Sequence, residues 1–534
     1  IQTNKGDDLD LIELALLDVE TGAVQRVESD PLKKVDLAGA LFSDVSDEII
    51  ATAYEDDRER YYWKDKKFEA DYKWLQQQLP NMDIGLGSST KDEKVWIVNA
   101  NSDVEPGRTF VFDRSSRKLT PQYEMRSKLP RAALSPMRAV RYKSSDGLEV
   151  PALLTIPKGS SGKNLPVVMY IHGGPWGRDY WGYHSYAQFL ANRGYAVLQP
   201  NFRASTGYGK KFLNAGNNEW GQKMQDDITW GVKYLIEQGI ADPKRVGIMG
   251  GSYGGYATLA GVTFTPDLYA AGVAIVAPSS LITLLETIPP YWEAGRIVFA
   301  KRMGDAKTPE GKAQLIRQSP LTHADKIKTP LLVVQGANDP RVNKRESDQI
   351  VIALRDRNYP VEYLLASDEG HGFARPVNNM AMVAAAEKFL AKHLGGRYQE
   401  TMTPAVEKRL KELTVDPKTV TLASSSASSP VSATGGLSGK WVATIDVNGQ
   451  VMEIEMTLTQ SGADVSGTTT AMFGNGTISE GKVSGSSLTA IFSTDVQGQS
   501  VRSKMEGKVD GDKMSGTFAS DLHGTVAFTA VRKK

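Results

Sequence analysis

The stretch VGIMGGSYGGYATLAG, Val246 to Gly261, crowds Gly250, Gly251, Gly254 and Gly255 around Ser252. Glycine weakens strands and helices alike, so a cluster where a β-rich run meets an alanine-rich run needs a cause. Val246 to Met249 reads as a buried strand, and Tyr256 onward as a helix. Gly250-Gly251-Ser252-Tyr253-Gly254 fits G-x-S-x-G, a strand-to-helix turn so tight that flanking side chains would clash. Such a turn lifts the serine hydroxyl clear of a sheet's carboxyl edge, at a helix N-terminus. Ser252 is read as a nucleophile.

A serine alcohol is a weak nucleophile and needs a histidine base, itself oriented by a carboxylate. In α/β-hydrolases the chain order is Ser, then Asp or Glu, then His. Four histidines follow Ser252: His323, His371, His393 and His523. His393 is late in a closing helix, and His523 falls in a separate C-terminal region. His323 precedes a strand, at the wrong edge of the sheet. His371 follows the strand VEYLLA in the loop SDEGHGF, at the carboxyl edge, and is the base. Asp339 follows PLLVVQGAN at the same edge and is the acid. Asp368, three residues before His371, is the runner-up, with a turn or capping role as its alternative.

The tetrahedral intermediate needs hydrogen-bond donors for its oxyanion. The backbone N–H of Tyr253, directly after the nucleophile, is one. The loop YIHGGPWGRDYW supplies the other, and Gly174 is the residue assigned to it. His172 in that loop is read as satisfying local hydrogen bonds.

Around these motifs, residues 136–397 alternate apolar, β-branched runs with helical patterns. That alternation predicts an α/β fold, a mostly parallel sheet covered by helices on both faces. Residues 1–135 read instead as short strands. Asp18-Val19-Glu20-Thr21-Gly22 and Asp113-Arg114-Ser115-Ser116-Arg117 repeat one strand–Asp–turn–strand pattern 95 residues apart. That is about two propeller blades of roughly 40–50 residues. The run EDDRERYYWKDKKFEADYKWLQQQL between them reads as a solvated insertion with helical character. Residues 398–436 read as a polar helix followed by the flexible linker TLASSSASSPVSATGG. Residues 437–534 alternate strands with Gly/Ser/Thr turns, which predicts an antiparallel barrel or sandwich of about eight strands.

Composition narrows the function. The 534 residues carry 63 Lys+Arg against 62 Asp+Glu, a net charge of +1, with 40% hydrophobic residues. No basic stripe with interleaved aromatics offers to bind nucleic acid. No apolar run approaches the roughly 18 residues of a membrane span. There are no cysteines, which excludes disulfides, thiolate metal sites and a cysteine nucleophile. No His/Asp/Glu cluster has metal-ligand spacing, so no metal and no cofactor is expected. The start IQTNKGDDLD, with neither methionine nor signal peptide, reads as a chain from which an upstream segment was removed.

Together HGGPWG, NFRASTGYG, GGSYGGY, GANDPRV and EGHGF resemble the prolyl oligopeptidase family of serine peptidases, in the family's order across about 260 residues. The acylaminoacyl-peptidase and dipeptidyl-peptidase-like branches are nearest. The resemblance implies an N-terminal β-propeller cap, here incomplete, and peptide hydrolysis through an acyl-enzyme. It implies that Arg341 holds a substrate backbone carbonyl, with a surface salt bridge as the alternative. Tyr291 and Trp292 fall where relatives place the acyl-side pocket, with core packing as the alternative. It also points to a bacterial periplasmic or secreted protein. No paired glutamates in a recognisable motif offer to hold a free peptide amino terminus. A carboxylesterase acting on small acyl esters is the alternative enzyme, and a recognition scaffold with the barrel as its ligand module is the alternative class.

Overall fold

The computed structural model describes the chain except residues 290–291, 293–294, 423–436, 448–449, 472–473, 497–498, 521–523 and 534. It divides into two compact units, residues 1–422 and 423–534. Residues 423–436 of the sequence-predicted flexible linker, and Tyr291, lie outside the described residues.

The first unit opens with three small antiparallel sheets. They are formed by β1 (Gln2–Thr3), β2 (Glu13–Leu17) and β3 (Val24–Glu28); by β4 (Leu37–Phe42), β5 (Ile49–Glu55) and β6 (Glu59–Trp63); and by β7 (Asp83–Ser89), β8 (Val95–Ser102), β9 (Glu105–Asp113) and β10 (Lys118–Glu124). The two Asp-turn motifs are the β2–β3 and β9–β10 hairpins. Asp18 Oδ1 accepts from the backbone N–H of Glu20 and Thr21 at 3.0 and 2.8 Å, and Asp113 Oδ1 from Ser116 at 3.0 Å. Each motif thus closes the last hairpin of one sheet, with the β4–β6 sheet between them, which accounts for the double spacing.

The charged aromatic run between them is not a solvated insertion. Its first part is β6, paired with β5, and its second is α1 (Lys66–Gln78). Asp65 caps that helix, accepting from Lys67 and Phe68 N–H. Tyr72 and Leu75 pack with Ile84, Val98, Phe110 and Phe112. The charges hid an i, i+3, i+4 apolar stripe that the adjoining sheet covers.

A nine-stranded sheet follows: β11 (Met137–Lys143), β12 (Glu149–Thr155), β13 (Leu165–Ile171), β14 (Ala196–Pro200), β15 (Ala241–Gly251), β16 (Ala271–Ile275), β17 (Leu331–Gly336), β18 (Val361–Ala366) and β19 (Thr414–Val415). Its order is β11-β12-β14-β13-β15-β16-β17-β18-β19. The strands from β14 to β18 run parallel, with antiparallel strands at both edges. The helices are α2 (Ser185–Asn192), α3 (Gly209–Asn214), α4 (Lys223–Glu237), α5 (Tyr253–Phe264), α6 (Leu281–Glu286), α7 (Arg296–Met303), α8 (Pro309–Arg317), α9 (Lys344–Arg355), α10 (Pro376–Leu394) and α11 (Pro404–Leu413). Two apolar clusters, one on each face, cover the sheet and bury β14, β16 and β17 completely, as the unbroken apolar runs require. The polar helix α11 is part of this body rather than of a linker: Val406 and Leu413 join the second cluster, and β19 pairs with β18.

The chain leaves β13 for β14 on one side and returns through β15 on the other. The crevice beyond the carboxyl ends of β13 and β15 is therefore the topological switch point, where open α/β sheets bind ligands.

The second unit is a closed barrel of eight antiparallel strands, from β20 (Gly439–Val447) to β27 (Gly524–Arg532). Trp441, Met456, Met505, Met514, Phe518 and Phe528 are buried in its core. Along β27, Phe528 and Ala530 are buried, while Thr525, Ala527, Thr529 and Val531 are exposed, the period-2 pattern of a strand with one buried face.

Candidate active site

β15 ends at Gly251 and α5 begins at Tyr253, leaving Ser252 alone in the turn. Its φ of 59° and ψ of −120° lie in a sparsely populated region, which costs about 1–3 kcal/mol and persists only where neighbours hold it. Here Ser252 N–H donates to Ile275 O at 2.9 Å, and Tyr256 N–H donates to Ser252 O at 3.0 Å. Gly254 must be glycine, because a Cβ there would lie 2.0 Å from Ile171 O. Gly251 is different: the nearest atom to an added Cβ is 3.9 Å away, so close approach does not demand glycine there. Tyr253 is the first helical residue, where a backbone N–H has no intrahelical acceptor.

The other two sequence-predicted members meet across neighbouring loops. His371 Nδ1 lies 2.8 Å from Asp339 Oδ2. Asp339 Oδ1 accepts from Arg341 N–H at 2.8 Å and Val342 N–H at 2.9 Å, so the carboxylate is fixed on both oxygens. A carboxylate only accepts, which places the ring proton on Nδ1 and leaves Nε2 free to act. The two loops are tied by backbone: Asn338 N–H donates to Glu369 O at 2.9 Å, and Asn338 Nδ2 to Ser367 O at 2.7 Å. Asp368, the runner-up acid, is occupied elsewhere. It pairs with Arg409 and with Arg375 at 3.3 Å, and accepts from Asn378 Nδ2, holding α11 against the loop. Among the described residues no hydrogen bond joins Ser252 Oγ to His371.

The loop after β13 closes on Ser252 from the other side. A Cβ at Gly173 would lie 3.4 Å from Ser252 Cβ, and Gly174, at φ 124°, lines the same cavity as Ser252 and Tyr253. His172 is buried, with burial holding its imidazole below the usual histidine range. Its Nδ1 is 2.8 Å from Gly173 O and its Nε2 3.0 Å from Ser205 Oγ, and its ring stacks on Phe202 at 4.4 Å. Because Gly173 O accepts, Nδ1 carries the proton. In a trans peptide the Gly174 N–H then points the opposite way from that tethered carbonyl. Thr206 N–H fixes the loop's far end, donating to Gly177 O at 3.0 Å. The segment NFRAST thus clamps the loop at both ends.

Residues 181–397 match the prolyl oligopeptidase family. The hydrolase domain belongs to that family. The chain is 46% identical over 391 residues to dipeptidyl aminopeptidase BIII of Pseudoxanthomonas mexicana, covering 72% of this chain and 56% of that one. It is 39% identical over 354 residues to dipeptidyl peptidase family member 6 of Caenorhabditis elegans, covering 62% and 48%. Among solved structures it resembles a Mycobacterium tuberculosis puromycin-hydrolyzing peptidase, with TM-score 0.62 and 25% identity over 73% of this chain and 60% of that one. The chain spans about half the length of these curated relatives.

Beside Ser252 this prolyl oligopeptidase domain has a cavity of about 300 Å³. Trp176, Trp220, Leu284, Phe299, Met303 and Trp292 are among its apolar walls, and Arg341 is a charged lining residue. The Arg341 guanidinium lies over the Trp292 ring at 5.7 Å, and among the described residues no carboxylate pairs with it. Arg341 and Trp292 therefore line one cavity with Ser252. Sequence reasoning missed Trp176 and the α7 residues Phe299 and Met303. Trp176 stood in plain view in HGGPWG, whereas α7 has no motif and lies across the cavity only through the tertiary fold. Among the described residues no group of three or more His, Asp or Glu is placed to hold a metal ion, and no helix is long and apolar enough to cross a membrane.

Proposed function

We propose that the chain is a serine peptidase that cleaves short peptides after an apolar residue, through an acyl-enzyme. One observation carries the reading: the strained Ser252 and the Asp339–His371 pair stand at one sheet edge, next to an apolar cavity. The names of the curated relatives support peptide over ester substrates. Ser252 Oγ attacks the scissile carbonyl, and His371 Nε2 takes its proton as the two close on each other with substrate docked. Asp339 holds the ring and stabilises the imidazolium. The N–H groups of Tyr253 and Gly174 receive the oxyanion, already oriented and at no further reorganisation cost. His371 then protonates the leaving amine, and a water deprotonated by the same ring releases the acid. Arg341 donates to a substrate backbone carbonyl, and the cavity takes the acyl-side residue.

The test is a matched panel sharing one acyl-side residue: a dipeptidyl anilide with a free amino terminus, an N-acyl aminoacyl anilide and a p-nitrophenyl ester. The reading expects turnover of at least one anilide, dependent on Ser252. Turnover of the ester alone contradicts it and makes the chain a carboxylesterase.

A further inference from the structure

The first turn of α9 contains a carboxylate that the mechanism above does not use. Glu346 is fully buried, and among the described residues no cation pairs with it. Burial pushes its carboxyl above the usual range. An unpaired buried carboxylate is costly unless donors replace its hydration, and donors are what surround it. Oε2 accepts from Ser279 N–H and Ser280 N–H, each at 2.9 Å, and from Gln349 Nε2 at 3.0 Å. Oε1 accepts from Thr283 Oγ1. The backbone joins in, with Ser279 Oγ donating to Glu346 O at 2.7 Å, and Gln349 Nε2 also reaching Ser279 Oγ at 2.8 Å.

Each end of this network leads to the site. Glu346 is the third residue of α9, whose N-cap is Asn343, directly after Asp339, Arg341 and Val342. Ser279 and Ser280 lie in the turn from β16 into α6, and Thr283 is in the first turn of α6. Pro278 in that turn and Leu284 and Leu285 in α6 line the same cavity as Arg341 and Val342. A glutamate at this helix position commonly reaches back to its own N-cap; this one crosses to another element. We propose that Glu346 is a positioning residue for substrate specificity, a clamp that fixes the width of the acyl-side pocket by locking its Pro278–Leu285 wall to the Asp339–Val342 loop. The proposal rests on the peptidase reading. A satisfied buried network holds one geometry, and pocket width decides whether a large side chain fits while a small one is indifferent.

The experiment uses the full chain and two anilide substrates that differ only in the acyl-side residue, phenylalanine against alanine. Glu346→Ala is expected to raise KM for the phenylalanine substrate about tenfold or more, and to leave kcat/KM for the alanine substrate within about threefold. Glu346→Gln is expected to keep the wild-type ratio. Its oxygen still accepts from the Ser279 and Ser280 N–H groups, and its NH₂ donates to Thr283 Oγ1. Thr283→Val, which removes the donor to Oε1 and an acceptor for Gln349 Nε2, shifts the ratio in the same direction by about threefold and serves if Glu346→Ala does not fold. Equal losses on both substrates, an unchanged ratio in Glu346→Ala and Thr283→Val, or a Glu346→Gln variant as altered as the alanine variant overturns the proposal. Normal fluorophosphonate labelling of Ser252 alongside any of these outcomes overturns the clamp alone. Absence of labelling in the wild-type chain overturns the peptidase reading and the clamp with it.

Discussion

The hydrolase sheet has five parallel strand pairs, and their carboxyl ends open onto loops at one edge. The barrel closes eight antiparallel strands on themselves and fills its core with Trp441, methionines and phenylalanines. Both bury apolar side chains thoroughly, but only the parallel sheet brings distant segments together at an edge. Ser252, Asp339, His371 and Gly174 come from four loops, up to 197 residues apart in the chain. In the barrel, chain neighbours are mostly spatial neighbours, and its buried residues are almost wholly apolar. The difference places every candidate catalytic residue in the first unit.

The largest effects should follow from breaking the edge constellation. Ser252→Ala and His371→Ala are each expected to lower kcat by on the order of 10⁴–10⁶, and Asp339→Asn by on the order of 10⁴ through the wrong ring tautomer. If Asp339→Asn is near wild type while Asp368→Asn is inactive, the acid is misassigned. Arg341→Ala should come next. Losing one charged hydrogen bond should cost about 1.5–3 kcal/mol, about 10- to 100-fold in peptide kcat/KM, with a small ester within threefold; equal losses on both contradict the carbonyl-binding role.

A smaller effect separates the units by pH. Burial, with repulsion from Glu55 and Asp83, raises the Glu59 carboxyl to about 7. Between about pH 4.5 and 7 the unfolded chain ionises this group while the folded chain keeps it protonated, so its contribution to stability falls as pH rises. Glu59→Gln should therefore match the wild-type Tm below about pH 4.5, and exceed it increasingly up to about pH 7, in the first unit's transition only. A constant difference across that range, or a shift in the barrel's transition, contradicts this. The smallest effect is expected from ending the chain after Leu422, with small-substrate kcat/KM within a few-fold. A tenfold change, in particular a faster long peptide, contradicts an independent barrel.

Much of this was legible in the sequence, because the parallel sheet writes itself as unbroken apolar runs with functional residues just beyond their ends. The elbow glycines, GANDP and EGHGF could be read from such positions, and the barrel from period-2 alternation. What escaped depended on cover supplied by other elements. The α1 stripe was masked by its Lys and Glu residues, and α11 looked like linker until its Val406 and Leu413 found the sheet. Phe299 and Met303 belong to a helix that no local pattern ties to Ser252. Glu346 resembled any polar residue of a first helical turn. Its donors include Ser279 and Ser280, 67 and 66 residues away.

The central claim is that Ser252 is a nucleophile activated by His371. Treating the native chain with a fluorophosphonate and mapping the adduct by mass spectrometry tests it most directly. A single adduct on Ser252, formed at least a hundredfold more slowly in His371→Ala, is the expected result. An adduct on another residue, or labelling of Ser252 at an unchanged rate without His371, would contradict it.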